Sequence, residues 1–213
     1  SFIGDAAPIV EVEAIHERRE AARKAIATGL EGLWWDAYTG ERAALAGRET
    51  DLSPEAKGSR RLANVALAYL VTAGSDAAFA AAEAQYHGAR TMTDRLGAMT
   101  ALINSPAPAR TAVLADFHAR FAHNNDVIDK WFSAQALANR PSVLADVERL
   151  LKHPDFTLTN PNRLRSLVGA FGANQRWFHA ADGEGYRLLA DQLIAVDRIN
   201  PQSAARLAVP LGR

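Results

Sequence analysis

Apolar residues recur at three- and four-residue steps along nearly the whole chain, and strict alternation over four or more residues is hard to find. A period near 3.6 gathers such positions on one helical face, whereas a half-buried strand needs a period of two. The sequence therefore predicts an all-α protein. Val12, Ile15, Ala22, Ile26, Leu30 and Leu33 form one stripe, which predicts a first helix from about residue 10 to 37 with a stop at Tyr38-Thr39-Gly40. Ser53-Pro54-Glu55 predicts the next helix start, because Ser caps free amides and Pro is preorganised at the first helical position. Leu62, Val65, Ala66, Tyr69 and Leu70 are read as its inward face.

Similar patterns predict helices near 76–87, 93–103, 108–122, 126–137, 142–152, 161–171, 185–196 and 201–209. About ten helices with short connections favour antiparallel neighbours, in a bundle or a solenoid. The expectation is a right-handed α-α superhelix of antiparallel helix pairs, HEAT/ARM-like, as one domain over 1–213, with 1–9 as residual linker. Asn160-Pro161-Asn162-Arg163-Leu164-Arg165 is echoed forty residues later by Asn200-Pro201-Gln202-Ser203-Ala204-Ala205-Arg206, a spacing found in two-helix repeats. Leu207, Val209 and Leu211 still carry an apolar face where a terminal repeat is normally polar outside, so truncation at both ends is expected, with further helices after 213.

Lys plus Arg and Asp plus Glu both number 24, so no long-range field draws the chain to phosphate backbones or anionic lipid. Neither a nucleic-acid nor a membrane partner is expected. With no cysteine, disulfides, thiolate metal sites and a cysteine nucleophile are excluded; this fits a reducing compartment, and a soluble, cytoplasmic protein is expected. Catalytic patterns are missing as well. His16-Glu17-Arg18-Arg19-Glu20 begins like the zinc-binding His-Glu-x-x-His, but Glu20 stands where the second imidazole is needed. His87, His118, His123, His153 and His179 offer no i, i+4 pair, and His179 is read as hydrogen-bonded in a loop. Trp131 and Phe132 are read as core, and Trp34-Trp35 as packing. No metal or cofactor is expected in this chain, and no catalytic residue stands out.

Four segments carry a family resemblance. Tyr86-His87-Gly88-Ala89-Arg90-Thr91-Met92-Thr93-Asp94 resembles the "F-H-x-A-x-N-M-T-D" segment of bacterial M1 alanyl aminopeptidases. Val127-Ile128-Asp129-Lys130-Trp131-Phe132-Ser133-Ala134-Gln135-Ala136 resembles their "V-x-D-K-W-F-x-x-Q-A". The run from Phe156 through Asn160-Pro161-Asn162-Arg163-Leu164-Arg165 to Phe171 resembles "F-x-x-x-N-P-N-R-x-R-x-L-I-G-A-F". Phe178-His179-Ala180, Asp182 to Tyr186, Asn200-Pro201-Gln202 and Ala205-Arg206-Leu207 continue it in order. Thr91 departs from the usual Asn, and Gln175-Arg176-Trp177 from an Asn-Pro-containing stretch.

The resemblance implies the C-terminal helical domain of a four-domain zinc aminopeptidase, with zinc and the amine-binding acidic segment in other domains. Its partners are then the remaining domains of its parent chain and a peptide substrate. The implied role is to close a chamber over the active site and line the peptide path, without hydrolysis by this chain alone. The arginines ending N-P-N-R-x-R and within A-R-L approach the catalytic cavity in the family, which carries over to Arg165 and Arg206. Arg163, two residues from Arg165, is expected to be structural or solvent-facing. The residues alone leave two alternatives open: that Arg165 and Arg206 pair with acids between helices, and that the chain is a free-standing HEAT-like scaffold for another protein.

Overall fold

A computed structural model describes residues 10–212, and the proposed linker 1–9 lies outside them. The order is α1 (Val12–Gly29), α2 (Glu31–Ala44), α3 (Pro54–Ala73), α4 (Asp76–Gly88), α5 (Met92–Ile103), α6 (Arg110–Phe121), α7 (Asn125–Ala136) and α8 (Val143–Leu151). There follow α9 (Pro161–Leu164), a π-helical segment (Arg165–Gly169), α10 (Ala170–Gly172), α11 (Gln175–Phe178), α12 (Glu184–Asp197), α13 (Pro201–Leu207) and a 3-10 turn (Val209–Gly212). All regular elements among the described residues are helical, as the apolar period predicts. The chain forms two compact units, one from Glu17 to Asp116 and the other from Phe117 onward with the described residues before Glu17.

In the first unit the helix starts follow the capping chemistry. Ser53 accepts from the Ala56 amide at 3.3 Å with Pro54 in the first turn, and Ser75 accepts from Ala78 at 3.3 Å. Thr91 accepts from the Asp94 amide at 3.3 Å and so caps α5. That explains why the family's Asn can be Thr here: both side chains present an oxygen to the third amide. Buried Arg60 closes the α2–α3 connection by donating to the carbonyls of Glu49, at 2.9 Å, and Asp51. Trp34 lies flat on Tyr69, centroids 4.3 Å apart, which places the tryptophan in packing. Buried Asp94 is held by Arg42 at 3.2 Å, and Gln85 ties the Asp94 carbonyl to Asn64 at 3.0 and 2.7 Å.

Three sequence expectations need correction in this unit. The long first helix breaks at Leu30 (φ −118°, ψ 22°), where Thr28 has turned its hydroxyl back onto the Lys24 and Ala25 carbonyls and Gly29 weakens the last turn. Tyr38-Thr39-Gly40 does not stop α2: Tyr38 is buried, Thr39 bonds back to the Trp35 carbonyl at 2.8 Å, and the chain turns only near Gly47 (φ +74°). The stripes are also only partly right: Ala66 and Leu70 are buried as read, but several of the larger residues are not. Ile26 and Leu33 are 43% and 64% exposed while Ala27 is buried; in α3, Leu62 and Val65 face outward while Ala63, Ala66, Leu67 and Leu70 form the contact. Alanines thus occupy buried positions in α1 and α3 while Ile26, Leu33, Leu62 and Val65 stay exposed.

The second unit packs Ile128, Phe132, Leu150, Leu167, Val168, Phe171, Phe178 and Leu189 into a common core. Trp131 and Phe132 are buried, as expected. Asn160 accepts from the amides of Asn162 and Arg163 at 3.0 and 3.2 Å, and Asn200 from that of Ser203 at 3.0 Å. Both Asn-Pro echoes are thus working helix caps. His179 accepts or donates one hydrogen bond with the Tyr186 hydroxyl at 2.5 Å, the structural role read for it. Its imidazole pKa is lowered by burial.

Gly185 sits where no side chain fits: a Cβ there would lie 2.3 Å from the Phe178 carbonyl oxygen and 2.9 Å from its Cα. Gly58, inside α3, has nothing within 4 Å of the same position. Gly185→Ala is therefore expected to lower stability by about 1–3 kcal/mol, whereas Gly58→Ala raises it by up to ~1 kcal/mol. Urea unfolding of the two variants checks both signs.

Candidate functional site

Four elements build the candidate site: α7, the loop after α8, the helix starting at Pro161, and α13. Its foundation is Arg163, which is 3% exposed. Its Nε donates to Asp129 Oδ1 at 2.5 Å, its Nη2 to Asn125 Oδ1 at 3.3 Å and its Nη1 to the Asp155 carbonyl. The guanidinium carbon lies 4.9 Å from the Phe132 ring centroid. Arg163 is structural, one of the two roles expected for it. Asp129 belongs to the family-like V-x-D-K-W-F segment and Arg163 to N-P-N-R, so this ion pair joins two sequence segments that resembled the family separately.

The helix changes pitch directly beyond Arg163. Ser166 donates its hydroxyl to the Arg163 carbonyl at 2.9 Å and reaches Asp129 Oδ1 at 3.3 Å, while the Ser133 hydroxyl donates to the Ser166 carbonyl at 2.9 Å. These side-chain bonds enter the backbone ladder. The ladder widens to a π turn, in which the Ala170 amide donates to the Arg165 carbonyl five residues back. Sequence analysis read one continuous helix here; a pitch change caused by a serine on another helix leaves no periodic signature.

Arg165 opens the π segment and is exposed, its Nη2 donating to Asn162 Oδ1 at 3.1 Å. Arg206 is exposed in the last turn of α13. The two segments touch: a Cβ on Gly169 would sit 3.4 Å from Arg165 Cγ and 3.8 Å from Leu207 Cδ1. Neither guanidinium has a carboxylate partner among the described residues. The arrangement is two unneutralised cations on adjoining, internally braced helices. Such a pair of guanidiniums can bind an anionic group or carbonyl oxygens.

The residues present do not fit the zinc of an M1 peptidase. His16 and Glu20 lie on α1, but the second imidazole is absent from the motif, and they join no three-ligand group among the described residues. A different group escaped sequence analysis: His118, His153 and Asp155 converge, though no local spacing links a residue of α6 to a loop some thirty-five positions later. No helix among the described residues is long and apolar enough to cross a membrane.

Fold and site together define an all-helical domain with two exposed arginines on adjoining segments. The chain matches, over residues 1–213, the family described as a domain of unknown function (DUF3458_C) with ARM repeats, and it belongs to that family, the C-terminal ARM-repeat domain of bacterial M1-type aminopeptidase N. It is 37% identical over 206 residues to aminopeptidase N of Escherichia coli strain K12, covering 96% of this chain and 23% of that protein. Aminopeptidase N of Haemophilus influenzae is 45% identical over 129 residues, covering 60% of this chain and 15% of that protein. A crystal structure of Legionella pneumophila aminopeptidase A in complex with aspartic acid superposes with a TM-score of 0.83 at 27% identity, covering 97% of this chain and 25% of that one. The chain spans less than a quarter of the length of these curated relatives.

The two arginines two residues apart have opposite energetic roles. Arg163→Ala leaves Asp129 largely buried without its cation, and a loss of about 3–5 kcal/mol is expected. Arg165→Ala, removing an exposed side chain, is expected to change stability by less than about 0.5 kcal/mol. Chemical denaturation of both variants measures the contrast.

Proposed function

We propose that this domain is the accessory part of a zinc-dependent aminopeptidase: it closes a chamber over the active site and lines the path of the peptide, while bond cleavage takes place elsewhere in the longer protein. The observation that carries the reading is the pair of exposed, carboxylate-free arginines, Arg165 and Arg206, on two packed segments braced from beneath by Arg163. A bound peptide brings what they lack, a C-terminal carboxylate and backbone carbonyls, and guanidinium is suited to both by its planar array of donors. Bracing matters because a cation held by rigid helices loses little freedom when it binds.

The bland alternative for these arginines, ion pairs between helices, has no acid to supply it among the described residues. The match to one portion of longer aminopeptidases supports an accessory domain over a free-standing scaffold. The zinc, the other domains of the parent chain and the peptide substrate are part of this proposal. So is a cytoplasmic location, supported by the absence of cysteine.

The test uses the full-length aminopeptidase that carries this domain. Arg165→Ala and Arg206→Ala are expected to raise KM about tenfold or more for tri- and tetrapeptides with a free C-terminal carboxylate. Turnover of a small alanyl anilide, which has no carboxylate to engage, stays unchanged. C-terminal amidation of the peptide should remove most of the difference between parent and variants. Equal losses on anilide and peptide, or none on either, would overturn the assignment.

A further inference from the structure

The His118–His153–Asp155 cluster lies outside the proposed peptide path and has the composition of a transition-metal site. His118 sits in the last turn of α6, and His153 and Asp155 in the loop that follows α8. His118 Nε2 is 2.6 Å from Asp155 Oδ2, and His153 Nδ1 is 3.7 Å from the same oxygen. One ligand atom from each residue falls within 4.8 Å of the other two. Metal–ligand bonds of about 2.0–2.2 Å in a tetrahedron put neighbouring ligand atoms roughly 3.3–3.6 Å apart, so the short contact must open by about 0.7–1 Å while the longer one barely changes.

The surroundings favour this use. Both imidazoles lean on Trp131, with centroids at 5.0 and 5.3 Å, and His153 also meets Phe132 at 5.9 Å. An aromatic wall of this kind fixes ring orientation and limits water to one side. The nearby cations are already matched to other acids: Arg163 to Asp129 at 2.5 Å and Arg149 to Asp146 at 3.2 Å. His153 accepts the Asp155 amide at Nδ1, at 3.1 Å, so an ion bound at that nitrogen displaces this one hydrogen bond. All three side chains retain between a fifth and about a third of their exposure, which leaves an entry path and room for water to complete the coordination.

We propose that His118, His153 and Asp155 bind one borderline-soft divalent ion of the zinc, cobalt or nickel class, as a structural staple between α6 and the loop before α9. Two imidazoles and one carboxylate select such ions over magnesium or calcium, which prefer all-oxygen shells. The staple acts on the same loop whose Asp155 carbonyl receives Arg163, so the ion would tighten the support beneath Arg165. It is separate from the zinc of peptide hydrolysis.

The experiment uses the untagged 213-residue chain, stripped with a chelator and titrated with cobalt chloride and with zinc chloride. One equivalent is expected to bind saturably, with visible cobalt d–d absorption and a melting temperature several degrees higher at hundredfold excess over Kd. Asp155→Asn and His118→Gln, close in shape to the originals, should each weaken binding at least tenfold, while His123→Gln, an exposed histidine outside the cluster, leaves it intact. Because a variant can lose its fold, the unmodified chain gives a second measurement: on zinc addition the ring resonances of His118 and His153 should shift and those of His87, His123 and His179 stay in place. The proposal is overturned by absence of saturable binding up to millimolar metal, by binding that survives both cluster variants, or by shifts at the other histidines instead.

Discussion

Everything in the second unit leans on the burial of one guanidinium. A charged group removed from water must have its donors met, since each one left bare costs more than a hydrogen bond returns. Arg163 meets this demand with a carboxylate from α7, an amide oxygen at the start of α7 and a carbonyl from the loop before α9, over a phenylalanine face. Helix α7 and the loop before α9 are thereby fixed to one point. Asp129, drawn to that point, also takes the Ser166 hydroxyl, while Ser133, from the same helix as Asp129, donates to the Ser166 carbonyl inside the π turn that Arg165 begins. The exposed arginine is positioned by the buried one.

The parts of this structure legible in the sequence are those decided locally. Helix starts at Ser53, Ser75, Thr91, Asn160 and Asn200 depend on one side-chain oxygen and an amide two or three residues on, so a short window contains their whole cause. The all-helical class follows from a period that needs no knowledge of partners. What the sequence hides is decided by another element. The π segment needs Ser133, the continuation of α2 past Gly40 needs the burial of Tyr38, and the inward face of α3 needs to know that its neighbour approaches an alanine stripe. The histidine cluster is the same case, since its ligands meet only through tertiary packing.

The four family-like segments were visible as patterns without a stated cause, and the contacts supply one for two of them. Asp129 and Arg163 are a single ion pair written in two places, which gives both residues one shared structural purpose. Thr91, where the resemblance breaks, shows what that position requires: an oxygen for the α5 cap, which Asn or Thr can provide. A departure from the pattern is harmless when the physical requirement beneath it is still met. The stretch Gln175-Arg176-Trp177 has less to explain it, although Arg176 pairs with Glu13 at 2.5 Å and Trp177 donates to Asn139 at 3.4 Å.

Formal neutrality conceals how the charges are deployed. With equal numbers of acids and bases, a fold that paired every cation would present no charge for a ligand to find. Here Arg163 is neutralised in the interior by Asp129, while Arg165, two positions on, meets only an amide oxygen, and Arg206 stands in the last turn of α13, where a cation also favours the helix dipole. An exposed guanidinium costs little to leave unpaired, because water solvates it. Under the proposed function the same cation gains value when closure of the chamber displaces that water, since its attraction to a carboxylate rises as the local dielectric falls. The pairing of Arg163 and the solvation of Arg165 are therefore two halves of one arrangement, in which rigidity comes from charge matched within the domain and a second charge is left exposed for the peptide contact we propose.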